Sequence, residues 1–196
     1  MTTQVRHTKT ESRIREALAH LLRTKGLEGL TVSELSREAG INRGTFYAHY
    51  VDKYDLVQKQ LDSATTELSA ILLAEPEGDD DDPLDIIPHD RLLAAMRYVF
   101  EEHELLGALT NDGRDMRLQS HVKDVIGELM EKQAVRRGKT DPAFCGLPHD
   151  YGREVLLSGT VAIIWLWLRK GCLESPEEIT DVIFRAKDVA PSELLE

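Results

Sequence analysis

Apolar residues recur at helical spacing near the start of the chain. A first helix is predicted from Ile14, Ala17, Leu18, Leu21 and Leu22, which share one face. Gly26 stands where the C-terminal cap of that helix is expected. A second helix is predicted to begin at a capping box, in which Thr31 accepts from the amide of residue 34 and Glu34 reaches back. Leu35 and Ala39 supply the buried side of this short helix.

The next residues predict a sharp turn and two further helices. Gly40 permits the positive φ of the turn, Ile41 fills its corner, and Asn42 is a strong N-cap for a third short helix. Asp52 caps a fourth helix whose apolar stripe comprises Val57, Leu61, Ala64, Leu68 and Ile71. Two short helices joined by a tight turn and followed by a long helix are typical of a helix-turn-helix domain.

Helical patterning returns at residues 91–104 and 115–137, so the whole chain is predicted to be all-α with about nine helices. The segment 75–88, "EPEGDDDDPLDIIP", predicts a solvated loop, and a divalent-cation site is the alternative that its aspartates suggest. We expect an N-terminal helix-turn-helix domain over residues 1–53 and a larger helical effector-binding and dimerisation domain over 54–196.

Residues 151–170 are apolar almost all round between Val155 and Leu168, which admits either a β-strand or a helix. Arg169, Lys170 and Gly171 favour the helix, because cations and glycine suit a helix C-terminus. Ser175 then caps a last helix. A helix that is apolar on every side needs cover on every side, so the pattern predicts a homodimer through about 151–171 and 176–188.

Charge divides the chain unevenly. The net charge is -11, but residues 1–53 carry nine Lys/Arg and six Asp/Glu, a net +3, which leaves -14 on the remainder. A basic head on an acidic body is compatible with a nucleic-acid partner. No signal peptide or membrane span is expected, and Cys145 and Cys172 lack metal spacing, so a cytoplasmic protein with reduced thiols is predicted, with redox sensing as the alternative.

The third predicted helix carries the candidate chemistry. On a helical wheel, Phe46 and Tyr50 share an inward face, while Gly44, Thr45 and Ala48 form a small outward face. Such a face admits close approach to a major groove, where Arg43 can pair with guanine and Thr45 can touch a thymine methyl group. Three further residues suit phosphate oxygens: Tyr47, His49 and Lys53. The alternative is that Tyr47 and His49 only fill a corner of the domain.

The segment 31–57, "TVSELSREAGINRGTFYAHYVDKYDLV", resembles the DNA-binding signature of TetR-family transcriptional regulators. The resemblance implies a DNA-contacting set of Thr31, Asn42, Arg43, Gly44, Thr45, Tyr47, His49 and Lys53. Ala48 departs from the larger side chain that many members carry there. The later segment "WLWLRKGCLESPEEI" is similar to the ending of dihydroxyacetone-kinase-type regulators.

The family resemblance implies a homodimeric repressor that binds a near-palindromic double-stranded DNA operator and is released by a small-molecule effector. Candidate effector contacts in the body are Tyr98, His103, Met116, His121, Met130, Trp165 and Trp167, each of which is alternatively a core residue. A DNA-binding adaptor or coactivator whose body binds a protein is the second hypothesis.

An enzyme is the competing class of protein. The sequence contains no GxSxG, P-loop or GxGxxG motif, and "HELLG" at 103–107 has glycine where a zinc protease needs its second histidine. We therefore expect neither catalysis nor a cofactor or metal.

Overall fold

The computed structural model describes residues 9–74, 87–110, 116–136 and 148–188. These residues form nine helices and no strand: α1 Lys9–Gly29, α2 Val32–Glu38, α3 Arg43–His49, α4 Lys53–Leu72, α5 His89–Glu101, α6 His103–Thr110, α7 Met116–Arg136, α8 His149–Arg169 and α9 Pro176–Asp188. The all-α prediction is confirmed. The residues 75–86 of the acidic segment, for which a loop or a cation site was expected, lie outside the described residues, as does Cys145.

The described chain divides into two compact units. The first contains residues 9–63 and 104–110, and the second contains residues 64–74, 87–103, 116–136 and 148–188. The division therefore falls inside α4 and groups most of α6 with the first three helices. A functional boundary between residues 53 and 54 stays a prediction.

The first unit is built around one apolar core. Six of its side chains are at most 1% exposed: Ile14, Leu18, Leu30, Leu35, Phe46 and Leu56. Leu105 of α6 belongs to the same cluster, and Leu109 packs against it. Gly26, expected to end the first helix, has the non-helical angles φ 69° and ψ 169°, so the regular helix ends there as predicted; one more helical turn follows this kink and brings α1 to Gly29. Only glycine adopts such a backbone without strain.

In the second unit α5 packs on α9, α7 packs on α8, and α8 packs on α9. The segment that admitted a strand or a helix is the helix α8. Gly171 follows it with the predicted positive φ, 77°. The predicted cap of α9 by Ser175 is present as a capping box, since Glu178 accepts from both the amide and the hydroxyl of Ser175.

Trp167, a candidate effector contact, and Cys172, predicted to be a reduced thiol, are both buried in the second unit. Trp167 is 1% exposed, and its Nε1 donates to the carbonyl of Glu174 at 3.0 Å. Cys172 is a free, buried thiol, and burial raises its pKa to about 11, so the thiol stays protonated at neutral pH. None of the described helices is long and apolar enough to cross a membrane.

Candidate nucleic-acid interface

The turn between α2 and α3 sets the direction of α3. Gly40 has a φ of 60°, and the Ile41 amide donates to the Ser36 carbonyl at 2.9 Å. Arg13 of α1 donates to the Gly40 carbonyl at 2.9 Å, so the turn is tied to the first helix. A side chain on residue 40 would both strain the backbone and overlap the Arg13 guanidinium. The turn therefore depends on glycine at this position.

Asn42 begins α3 as predicted. Its Oδ1 accepts from the Thr45 amide at 2.7 Å and from the Thr45 hydroxyl at 3.1 Å. These bonds satisfy one of the amides that a helix N-terminus leaves unpaired. The side chain of Asn42 is therefore already engaged in holding the helix, and Thr45 is half-buried beside it.

The inward face of α3 is the predicted one. Phe46 is fully buried and Tyr50 is 6% exposed, with their ring centroids 5.5 Å apart. Burial also raises the pKa of the Tyr50 hydroxyl. These two rings fix α3 to the core of the first unit, which leaves the opposite face of the helix free to bind.

The outward face carries the residues predicted to contact DNA. Arg43, Gly44, Ala48 and His49 are exposed, and Tyr47 is 49% exposed. The Arg43 guanidinium lies over the Tyr47 ring, 5.8 Å from its centroid, and its Nη2 is 3.4 Å from the Tyr47 hydroxyl oxygen. A cation stacked on an aromatic ring is held in place without being neutralised, so it still attracts anions.

Thr31 lies in the predicted capping box at the start of α2. Its hydroxyl accepts from the Glu34 amide at 3.2 Å and donates to Glu34 Oε2 at 2.9 Å. Lys25 of α1 forms a short ion pair with the same carboxylate. This pair and the box lower the pKa of Glu34 to about 2.

Lys53 is placed differently from the other predicted contacts. Its ammonium group donates to the carbonyls of Leu27 at 2.8 Å, Glu28 at 3.1 Å and Leu30 at 3.1 Å. An ammonium group has three donors, and these bonds use all of them. The contact of Lys53 with phosphate stays a prediction, but in this structure the side chain ties the start of α4 to the end of α1.

Two exposed residues beside α3 escaped the sequence analysis. Val51 is 78% exposed, and Tyr54 is 48% exposed with its hydroxyl donating to Glu28 at 3.1 Å. The Val51 amide donates to Asp55, and this bond lowers the pKa of the Asp55 carboxyl group. Asp52 caps α4 as predicted, since its Oδ1 accepts from the amides of Tyr54 and Asp55, each at 2.8 Å.

The residues predicted to contact an effector lie in the second unit, and contacts with one ring, that of Phe100, join two of them. Trp165, Trp167 and Met130 are at most 9% exposed. His103 bonds the Phe100 carbonyl at 2.7 Å, and the Phe100 ring lies between His103 and Trp167, with centroids at 5.8 and 6.3 Å. His121 instead bonds Ser69 of α4 at 3.1 Å. Tyr98 is half-buried, and the side chain of Met116 lies outside the described residues.

Within the described parts of the chain, no three histidine, cysteine, aspartate or glutamate residues come together in a way that holds a metal ion. The site that the fold presents is thus the outward face of α3 with its rim. Its small residues, a held arginine and exposed hydroxyl and imidazole groups suit the edges of bases and the phosphates beside them.

Family models match both parts of the chain. The model "Bacterial regulatory proteins, tetR family" matches residues 14–59, and the model "Transcriptional regulator C-terminal region" matches residues 88–186. A curated Bacillus subtilis protein, the uncharacterized HTH-type transcriptional regulator YxbF, is 24% identical over 89% of this chain. The chain spans 43% of the length of that relative.

Solved structures share the fold. The TetR family regulator PfmR from Thermus thermophilus is 19% identical with a TM-score of 0.61, covering 88% of this chain and 97% of that one. The fatty acid degradation regulator FadR from Bacillus halodurans is 15% identical with a TM-score of 0.58, covering 90% and 93%. The dihydroxyacetone kinase operon activator DhaS is 17% identical with a TM-score of 0.53, covering 90% and 92%. At these identities the likeness concerns the fold alone.

Proposed function

The chain belongs to the TetR family and is a DNA-binding transcriptional regulator, not an enzyme, and from this premise we propose that it is a homodimeric, ligand-responsive repressor of the cytoplasm. Each subunit places α3 in the major groove of a near-palindromic operator. The two half-sites lie about one helical turn apart or somewhat more. A small-molecule effector that binds in the second unit releases the DNA.

The observation that carries the DNA-binding part is the contrast between the two faces of α3. Phe46 and Tyr50 hold the helix to its own core, and the other face presents Arg43, Gly44 and Tyr47 to solvent. Arg43 is the expected reader of a guanine edge, and Tyr47 and His49 are the expected phosphate contacts. Thr31 and Asn42, whose side chains cap helices, contribute by fixing the position of those helices.

Release by an effector is supported by the continuity of two helices. α4 begins in the first unit and ends in the second, and α6 follows directly on α5 while Leu105 and Leu109 belong to the core of the first unit. We expect a shift of the part of α4 that lies in the second unit to be passed along this continuous helix into the first unit. The effector acts by stabilising the conformation whose two reading heads no longer match the operator.

Dimerisation is supported by an exposed apolar stripe on α8. Tyr151, Val155 and Leu166 are 70%, 64% and 51% exposed, and Gly159 and Ala162 continue the stripe between them. At about 100° per residue these five positions lie within an arc of about 80°. Val182 of α9 is a further exposed apolar residue, at 45%. We propose that a second copy of the chain packs against this face.

The second candidate is an adaptor whose second unit binds a protein, and the same stripe on α8 favours it if the chain is monomeric.

The experiment begins with the full chain and a pool of random duplexes, from which bound sequences are selected repeatedly. The proposal expects enrichment of a near-palindrome, and a screen of small metabolites is expected to yield one that weakens binding to it. Enrichment of no sequence would contradict the DNA-reading role, and a single unpaired half-site bound by a monomer would favour the adaptor.

A further inference from the structure

The second unit contains a buried arginine at the start of α5. Arg91 is 7% exposed, and its Nη2 is shielded from solvent without a hydrogen-bond acceptor in the structure. A guanidinium group remains protonated in proteins, so a positive charge is buried here. Burying a charge is costly unless an opposite charge or a full set of hydrogen bonds accompanies it.

The bond that Arg91 makes within the described residues is weak. Its Nη1 lies 3.5 Å from the carbonyl oxygen of Leu72, at the C-terminal end of α4. Typical N–H···O bonds are about 2.9–3.0 Å long. The end of a helix carries a partial negative charge, which attracts the guanidinium but does not neutralise it.

A second arginine on the same helix shows the contrast. Arg97 is exposed, and its Nη2 donates to Glu177 of α9 at 2.8 Å. The fold thus gives a carboxylate partner to an arginine that water would solvate in any case. Among the described residues, no carboxylate pairs with the buried Arg91.

Four buried residues near Arg91, three of them close to it along the chain and the fourth the residue whose carbonyl it contacts, are aliphatic. Leu92 and Ala95 of α5 are each 1% exposed, and Ile87 and Leu72 are each 4% exposed. A single buried cation with buried aliphatic residues nearby along the chain suits a ligand that carries one negative charge on an apolar body. A carboxylate can accept two parallel bonds from a guanidinium group, which is the geometry that arginine favours.

We propose that Arg91 binds the carboxylate group of the effector, and that the effector is a monocarboxylate with an apolar body. The proposal rests on the proposed function, in which the second unit binds a small molecule. It narrows that function to an anionic ligand and assigns its recognition to one residue.

The test measures the melting temperature of the full chain with acetate, hexanoate or benzoate, and with the neutral amides of the same acids. At about ten times the dissociation constant, a bound carboxylate is expected to raise the melting temperature by about 3–6 °C. The amides are expected to raise it by less. Inorganic phosphate serves as the further anionic probe, and a shift with phosphate but with no carboxylate would overturn the ligand class.

Three variants assign the response to a residue. Arg91→Met is expected to abolish the carboxylate response and, because it removes an unneutralised buried charge, to melt above the wild type without ligand. Arg91→Lys keeps the charge and is expected to retain a weaker response. Arg97→Met removes an equal charge from the same helix and is expected to leave the response intact. Equal responses of wild type and Arg91→Met, or none to any carboxylate, would overturn the proposal.

A variant with asparagine in place of Asp79, Asp80, Asp81 and Asp82 tests whether the chain supplies its own carboxylate. If carboxylates raise the melting temperature of this variant alone, the aspartates of the wild type bind Arg91 themselves. That result would overturn the proposal that Arg91 binds an external ligand. Operator binding is measured in parallel, so that the two proposals fail separately. Carboxylate binding that leaves operator affinity unchanged contradicts release by the effector, whereas operator binding without any carboxylate response contradicts the role of Arg91.

Discussion

Glu34 illustrates how one side chain serves several elements. Its carboxylate accepts from the backbone amide and hydroxyl of Thr31 at the start of α2, and it pairs with Lys25 of α1. The hydrogen bond from Lys25 and those from Thr31 lower its pKa from 4.5 to about 2. Both partners stabilise the ionised form, so protonation weakens the connection between α1 and α2.

This arrangement predicts an acid-sensitive contribution to stability. Because the pKa of Glu34 is lower in the folded chain, its contribution is fully present above about pH 4.5 and is lost as the pH falls towards about 2. Glu34→Gln keeps a capping side chain but cannot titrate. The melting temperature of the wild type should therefore exceed that of Glu34→Gln near neutral pH, and the difference should vanish towards pH 2.

Glu178→Gln provides the control for that experiment. Glu178 forms the same box with Ser175 at the start of α9, but neighbouring Glu174 and Glu177 oppose its ionisation. Its substitution should therefore produce a smaller pH-dependent difference. A Glu34→Gln variant that follows the wild type at every pH would contradict the assigned role of the carboxylate.

At the level of elements, the caps and turns formed by residues within one helical turn could be predicted from the sequence, whereas contacts between residues far apart along the chain could not. The boxes at Thr31 and Ser175, the cap at Asn42 and the positive φ of Gly40 each depend on residues within one helical turn, and all are present. The position of Lys53 depends on carbonyls 23 to 26 residues away. No periodicity along the chain indicates such a contact, so the sequence pointed only to the helix N-terminus.

The same reasoning explains two other differences. The helical turn that follows Gly26 and brings α1 to Gly29 was not predicted, and Leu27 in that turn packs against the core of the first unit. Leu105 and Leu109 joined that core without any advance signal. An amphipathic pattern shows which face of a helix is buried but does not identify the helix that covers it.

The hydrogen bonds that Lys53 donates to three carbonyls predict that its substitution lowers stability. Lys53→Met keeps the apolar stem and removes three hydrogen bonds to backbone carbonyls. We expect a loss of about 1–3 kcal/mol in the free energy of unfolding, measured by urea denaturation. Binding to all DNA sequences should weaken together, because α4 begins directly after the reading helix.

Lys59→Met is the matched control on the same helix. The Lys59 ammonium is exposed, pairs with Asp55 and donates to one backbone carbonyl, that of His49, at 3.0 Å, so a smaller loss of stability is expected than for Lys53, which bonds three. If Lys53→Met leaves stability unchanged and lowers the slope of log affinity against log salt by about one, Lys53 is instead a phosphate contact. That result would restore the role predicted from the sequence.

At the scale of the whole molecule, the stripe on α8 predicts the oligomeric state. Leu166→Asp places a charge on the most C-terminal residue of the stripe, where burial against a second copy would leave it unpaired. Size-exclusion chromatography with light scattering should give a dimer for the wild type at micromolar concentration and a monomer for Leu166→Asp. The control Val51→Asp alters an equally apolar exposed residue of the first unit and should remain dimeric.

A wild type that is monomeric in that measurement would contradict the two-fold reading of the operator.

The uneven charge also acts at this scale. A net charge of +3 over residues 1–53 and -14 over the remainder confines the attraction for DNA to the reading head. Affinity should accordingly fall steeply with salt.

The central claim is that α3 reads the sequence of DNA through Arg43. The most direct measurement compares wild type and Arg43→Ala on the selected operator and on a random duplex of equal length at the same salt concentration. Arg23→Ala, which removes an exposed arginine paired with Glu104, is the control for charge. Arg43→Ala should cost about 1–3 kcal/mol on the operator, roughly a 5- to 150-fold loss, and much less on the random duplex. Equal losses on both duplexes, or a loss matched by Arg23→Ala, would contradict the claim.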